Sequence, residues 1–182
     1  VAVASVALAP QSRAALRRAA ELLAAAPLIA IAGVRSCFPV AFSLHYALSL
    51  FLPGTRLMTG AGGSLLDDLH HLREGDALVV ISVAPYSRET IEAARHARAA
   101  GVRVVGITDG PLTPVARLSD ATLVATNDSP AHIASPIGPL AVAQALAILM
   151  LARAGEGALE ALRRREATLE ATSAYLPDEA AS

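Results

Sequence analysis

The sequence contains no lysine: all 15 of its basic residues are arginine. That absence excludes Schiff-base aldolases, pyridoxal-phosphate enzymes and P-loop nucleotide hydrolases, each of which depends on a specific lysine amine. Cysteine is nearly missing as well. Cys37 stands alone, so an internal disulfide and a cysteine-built metal cage are excluded, and a reducing cytoplasm is the expected setting. There is no excess of positive charge either. Fifteen basic against 16 acidic residues leave a formal net charge of -1, which provides no broad surface for a nucleic-acid backbone. Finally, no apolar run reaches membrane-spanning length. The most apolar stretch, 138–152, is roughly 15 residues long and includes Gln144, whereas a span needs ~20. The first ten residues show neither an initiator Met nor a positively charged leader, which leads to the expectation of a piece excised from a longer cytoplasmic protein.

What is present suits one medium-sized domain: 182 residues, 54% of them hydrophobic. Five short apolar segments alternate with helical stretches, at 28–32, 55–59, 77–82, 103–108 and 121–125. Runs such as Ala77-Leu-Val-Val-Ile81 are apolar almost throughout, as strands covered on both faces are, and this predicts a parallel sheet. Between them, Ser87 is placed to cap a helix that Gly101 closes, while Thr113-Pro114 and Ser135-Pro136 each set a capping oxygen before a first-turn proline. With right-handed crossovers the order predicts an α/β doubly wound three-layer αβα sandwich, with the Leu28 strand near its centre and the ligand crevice at the carboxyl ends of the strands.

Two segments at that edge carry the chemistry. Gly33-Val34-Arg35-Ser36 follows the first strand: Gly33 allows a sharp turn, a helix expected to begin near Ser36 offers free N–H groups, and the Ser36 hydroxyl adds a donor for an anion. Ser82-Val-Ala-Pro-Tyr-Ser87-Arg-Glu-Thr90 follows the third strand and again leads into a helix start. Each hydroxyl has an equally ordinary reading as a helix cap. His132 and Ser135, in the loop before the last apolar helix, lie at the same rim, where the far end of a ligand or merely a lid would sit.

In these residues, and in Gly75-Asp-Ala-Leu-Val-Val-Ile-Ser82, Tyr86-Ser-Arg-Glu-Thr90 and Gly106-Ile-Thr-Asp109, the chain resembles a sugar isomerase (SIS) domain. More closely it resembles the effector-binding domain of RpiR-type transcription regulators. The likeness runs from about Leu16 to Ala154, with the closing helical segment also similar. It implies a five-stranded parallel sheet, dimerisation through helices, and a phosphosugar held by Ser36 in the first loop and by Ser82, Ser87 and Thr90 in the second, with Gly33 and Arg35 beside them. Isomerase enzymes of this superfamily usually carry a second glycine and a Ser or Thr where Val34-Arg35 stands, and a Ser-x-Ser-Gly-x-Thr loop that Ala84-Pro85-Tyr86 interrupts here. An arginine at this point offers a forked pair of donors to a phosphate or carboxylate. The domain reading is therefore a linker remnant at 1–15, a SIS domain at 16–176 and a disordered tail at 177–182. It implies a homodimer, no cofactor and no bound metal, no catalysis, and contact with DNA only through a helix-turn-helix domain outside this sequence.

Two other classes stay open. An isomerase would need a base over the sugar, for which Glu89, Asp109 and His132 are the candidates. A Rossmann-type nucleotide module would need G-x-G-x-x-G after the first strand and an acidic residue ending the second, where Met58-Thr59-Gly60 stands. Four further features have plainer readings. His70-His71 diverge by about 100° on a helix and read as a solvated end. Cys37 reads as a packed thiol, although a helix N-terminus can activate one. Arg163-Arg164-Arg165 reads as a solvated face, and the helix from Pro139 to Leu151 as apolar enough to bury against both the sheet and a second subunit.

Overall fold

The computed structural model describes residues 10–127 and 135–176. Its elements are α1 (Pro10–Ala24), β1 (Ile29–Ala32), α2 (Phe38–Ser49), β2 (Thr55–Met58), β3 (Ala77–Ile81), α3 (Arg88–Ala99), β4 (Arg103–Thr108), β5 (Ala121–Val124) and α4 (Ile137–Ala171). All five strands fall within the expected segments. Helix α1 begins at Pro10, ahead of Leu16, while the expected tail at 177–182 lies outside the described residues.

Every pairing in the sheet is parallel, and the strand order is β2-β1-β3-β4-β5. The Leu28 strand, β1, lies between β2 and the central strand β3, near the centre as expected. Side chains alternate across the sheet with the period of two that a strand imposes. Ile29, Ile31, Ala77, Val79 and Ile81 face one layer with α1, α2 and α4 residues such as Leu23, Leu44 and Leu146. Ala30, Ala32, Leu78, Val80 and Val104 face the other, with Ala93, Ala94 and Ala97 of α3. Strands β1 and β3 are covered on both sides, which is why their sequences lack polar alternation.

The Thr113-Pro114 signal produces less than an α-helix. Thr113 Oγ1 accepts the Ala116 N–H at 3.1 Å and caps a single 3-10 turn, Ala116–Leu118, because β5 starts at Ala121 and leaves no room for more. Helix α4 is longer than its apolar core, at 35 residues, and is broken at Gly155, whose φ of +62° and ψ of -150° are outside helical space. Before the break Val142, Leu146 and Met150 are buried; after it only Ala158 is. Although the apolar run at 138–152 falls short of a span, the whole of α4 is long and apolar enough to cross a membrane by length and composition; its inner face is packed into the core of this domain. Its outer face leaves Ile137 and Ile148 62% and 61% exposed. Beyond the break, Arg163 and Arg164 pair with Glu160, and Arg165 lies over the Tyr46 ring at 5.6 Å, which ties the end of α4 to α2.

Candidate functional site

The strand order reverses between β1 and β3, one continuing to β2 and the other to β4, so the chain leaves their carboxyl ends in opposite directions and opens a crevice there. Ala32 pairs with Val80 in the register, which sets the loops that follow, loop 1 (33–37) and loop 2 (82–87), side by side at one edge of the sheet. Ser36 and Ser82 therefore share that edge, as expected.

Loop 1 is built differently from its sequence reading. Gly33 does not supply the turn; it supplies proximity, since a Cβ there would stand 3.0 Å from the Cys37 carbonyl oxygen, 3.1 Å from Ala41 Cβ and 3.3 Å from Ile81 Cβ. The left-handed residue is Arg35, with φ +55°, a conformation uncommon outside glycine and associated with functional loops. Residues 35–37 form a 3-10 turn and α2 begins only at Phe38, so Ser36 is exposed on the turn and is not a cap. It faces a narrow cleft shared with Cys37, Val83 and Ser135. The Ser135 hydroxyl accepts the Ile137 N–H at 3.4 Å, a loose version of the expected cap. His132 falls outside the described residues.

Loop 2 carries the decisive features. Ser82 is 1% exposed and its Oγ accepts the Ser87 N–H at 3.3 Å. Ser87 is the N-cap of α3 by backbone geometry, yet its hydroxyl makes no capping bond. Ser87 Oγ and Thr90 Oγ1 are both buried without a hydrogen-bond partner. Buried polar atoms are nearly always satisfied, and an unsatisfied one costs about 1–3 kcal/mol, so two at one helix N-terminus are a place where a further acceptor would be stabilising. The unpaired N–H groups of that first helical turn favour an anion there.

Asp109, at the end of β4, holds loop 2 in shape. Its carboxylate accepts the Ala84 N–H at 2.9 Å, the Tyr86 hydroxyl at 2.9 Å and the Thr108 hydroxyl at 3.3 Å. Burial, and then the bond to this carboxylate, push the Tyr86 phenol above its ordinary range. Asn127 adds a bond from Nδ2 to the Ala84 carbonyl at 3.3 Å. Across the mouth, Arg35 Nη2 and Glu89 Oε1 are 4.0 Å apart, linking loop 1 to the first turn of α3. The bracing residues Tyr86 and Asn127 were not singled out from sequence, and Asp109 was weighed only as a base. The signal was the β3–β4 neighbourhood, which puts the residue after β4 beside loop 2.

The other candidates separate from this edge. Burial raises the Cys37 thiol pKa, outweighing its contacts with Val83 and Ser36, as an inert packed thiol requires. His70 and His71 stack at 3.8 Å between centroids on a 3-10 turn, Asp67–His71, and loss of solvation, followed by the His70 charge, lowers the His71 pKa. Among the described residues no group of three His, Cys, Asp or Glu side chains could hold a metal. A larger groove, of about 800 Å³, lies between α2 and the end of α4, lined by Tyr46, Arg165, Leu169 and Tyr175, and contains none of the loop residues.

The SIS domain family model matches residues 22–154, which takes in both loops, the whole sheet and α3. The chain belongs to the SIS domain family. The sugar isomerase domain of an RpiR transcription factor from Sphaerobacter thermophilus superposes with a TM-score of 0.79 at 31% identity, covering 84% of this chain and 86% of that one. Vibrio vulnificus NanR complexed with ManNAc-6P superposes with a TM-score of 0.77 at 21% identity, covering 91% of this chain and 62% of NanR. A UPF0309 protein of Brucella anthropi is 31% identical over 170 residues, covering 74% of this chain and 70% of that protein. Structures described as candidate phosphosugar isomerases share the SIS fold at 20% identity or less. This SIS domain accordingly resembles the sugar isomerase domain of an RpiR transcription factor.

Proposed function

We propose that this SIS domain is the phosphosugar-sensing part of a bacterial transcription regulator, which holds the phosphate of its ligand between loops 1 and 2 and does not turn the sugar over. The observation that carries the reading is the pair of buried, unpartnered hydroxyls of Ser87 and Thr90 at the N-terminus of α3. A phosphate oxygen is the acceptor both lack, and Ser36, Ser82 and Arg35 stand around the same crevice. The likeness to an RpiR factor and to a regulator complexed with ManNAc-6P supports the sugar-phosphate class.

The non-catalytic part of the reading rests on how the carboxylates are used. Asp109 is occupied by three donors, and Glu89 faces Arg35. A phosphosugar isomerase is the second reading, favoured by one observation: Glu89 is half exposed at the mouth of the crevice, where a base would stand. Aldose–ketose phosphate interconversion that disappears in Glu89→Gln would establish it. The regulatory reading further implies a homodimer through the exposed apolar face of α4, a cytoplasmic setting, and DNA contact through a helix-turn-helix domain of the same protein.

A thermal-shift series with sugar phosphates tests the central claim. A ligand at ~100 times its Kd stabilises the fold by ~2.7 kcal/mol. A shift that vanishes in Ser87→Ala and Thr90→Val supports the site; a shift retained by both removes the phosphate from these loops.

A further inference from the structure

Glu89 is the second residue of α3 and immediately precedes Thr90, whose unpartnered hydroxyl belongs to a residue with no exposure at all. An acidic group thus stands in the first turn of the helix whose N-terminus is shaped for an anion. Its partner is Arg35 across the crevice, at 4.0 Å, with side-chain exposures of 76% for Arg35 and 50% for Glu89. Arg35 reaches this position from a left-handed backbone, so the loop is set to present the guanidinium towards α3. The other carboxylate at this edge, Asp109, is already satisfied by loop 2.

Resting on the phosphate reading above, we infer that Glu89 is a charge filter: the site admits phosphate monoesters whose carbon skeleton is neutral or carries an amine, and rejects those whose skeleton carries a carboxylate. The reasoning is one of charge count. A phosphate on Ser87 and Thr90 draws the Arg35 guanidinium, which makes stronger, bidentate bonds to phosphate than the 4.0 Å contact it has with Glu89. The Glu89 carboxylate then loses its counter-ion and faces whatever the phosphate is attached to. Hydroxyl or ammonium groups can donate to it. A second carboxylate cannot, and two like charges a few ångströms apart in a partly desolvated crevice repel. Discrimination of this kind comes from a repulsive element built against the wrong ligand.

Three hexose derivatives with the same phosphate position provide the test: glucose 6-phosphate, glucosamine 6-phosphate and 6-phosphogluconate. Glycerol 3-phosphate and 3-phosphoglycerate form a smaller matched pair, independent of hexose shape. Titration calorimetry at fixed low salt should find the acid of each pair bound at least about tenfold more weakly by the parent, and Glu89→Gln should narrow that ratio at least about threefold. An unchanged ratio in Glu89→Gln, or a gain that is equal for all five probes, overturns the filter. Thr90→Val separates the two levels of the argument. Weaker binding of every probe in Thr90→Val with an unchanged acid-to-neutral ratio in Glu89→Gln sinks the filter and leaves the phosphate site standing. If Thr90→Val binds every probe as the parent does, or if the parent binds none at about 10 mM, the phosphate reading fails and the filter with it.

Discussion

The Tyr86 hydroxyl donates to Asp109 Oδ1 at 2.9 Å, joining residues 23 positions apart and fastening the loop after β3 to the end of β4. The same carboxylate takes the Ala84 N–H through its other oxygen. Tyr86 is part of the Ala84-Pro85-Tyr86 segment that departs from the isomerase pattern, so this segment is anchored, and Ser87 and Thr90 are presented from a fixed frame.

Asp109→Asn should therefore weaken sugar-phosphate binding, because an amide cannot accept from both donors at once. Hydrogen bonds to a charged group are worth ~1.5–3 kcal/mol, so a loss of about tenfold or more in affinity is expected. Tyr86→Phe, which leaves the Ala84 bond intact, should lose less. Calorimetry on both variants, with thermal melts to confirm that each is folded, checks the order.

Thr90→Val should have opposite effects on the free and liganded domain. Removing a buried hydroxyl that has no partner relieves a penalty of about 1–3 kcal/mol, so the free domain should melt no lower than the parent. Affinity for a sugar phosphate should fall roughly tenfold to a hundredfold. Denaturant titration and calorimetry on the same preparation measure the two signs.

The Cys37 thiol should react slowly and should link stability to alkaline pH. Its pKa in the folded domain is raised above the ordinary 9.0, mainly by burial. A group with a raised folded pKa contributes stability below its unfolded value and loses it as pH climbs through the folded one. Stability should thus decline above about pH 9, and part of that decline should be absent in Cys37→Ala. The Tyr86 phenol, also raised, contributes a similar decline near and above 10.0. Melting curves from pH 7 to 11 on the parent, Cys37→Ala and Tyr86→Phe separate the contributions.

Ile148→Asp should leave a monomer. Ile137 and Ile148 are each more than 60% exposed on the outer face of α4, and a second copy is the occupant proposed for that face. Light scattering at micromolar concentration should give a dimer for the parent and half that mass for the variant.

How much of this was legible in the sequence depends on which interactions are local. The strands were legible because burial on both faces leaves an unbroken apolar run, as in Ala77–Ile81. Their order was not, since nothing within Leu28–Ala32 distinguishes a central strand from its neighbour. Ser36, Ser82, Ser87 and Thr90 were placed at this edge through loop position and resemblance. The left-handed Arg35 was hidden because Gly33, two residues earlier, looked like the natural holder of that conformation. The Asp109 brace was hidden because it depends on β3 and β4 being adjacent, a tertiary fact.

The reversal of strand order between β1 and β3 has a consequence for folding. Loop 1 belongs to the half of the chain that builds β1, α2 and β2, and loop 2 to the half that builds β3, α3, β4 and β5. Those halves meet along the β1–β3 ladder. A phosphate held by Ser36 on one side and Ser87 and Thr90 on the other would act as a removable cross-link between them. Ligand should then slow hydrogen exchange most at the β1–β3 seam.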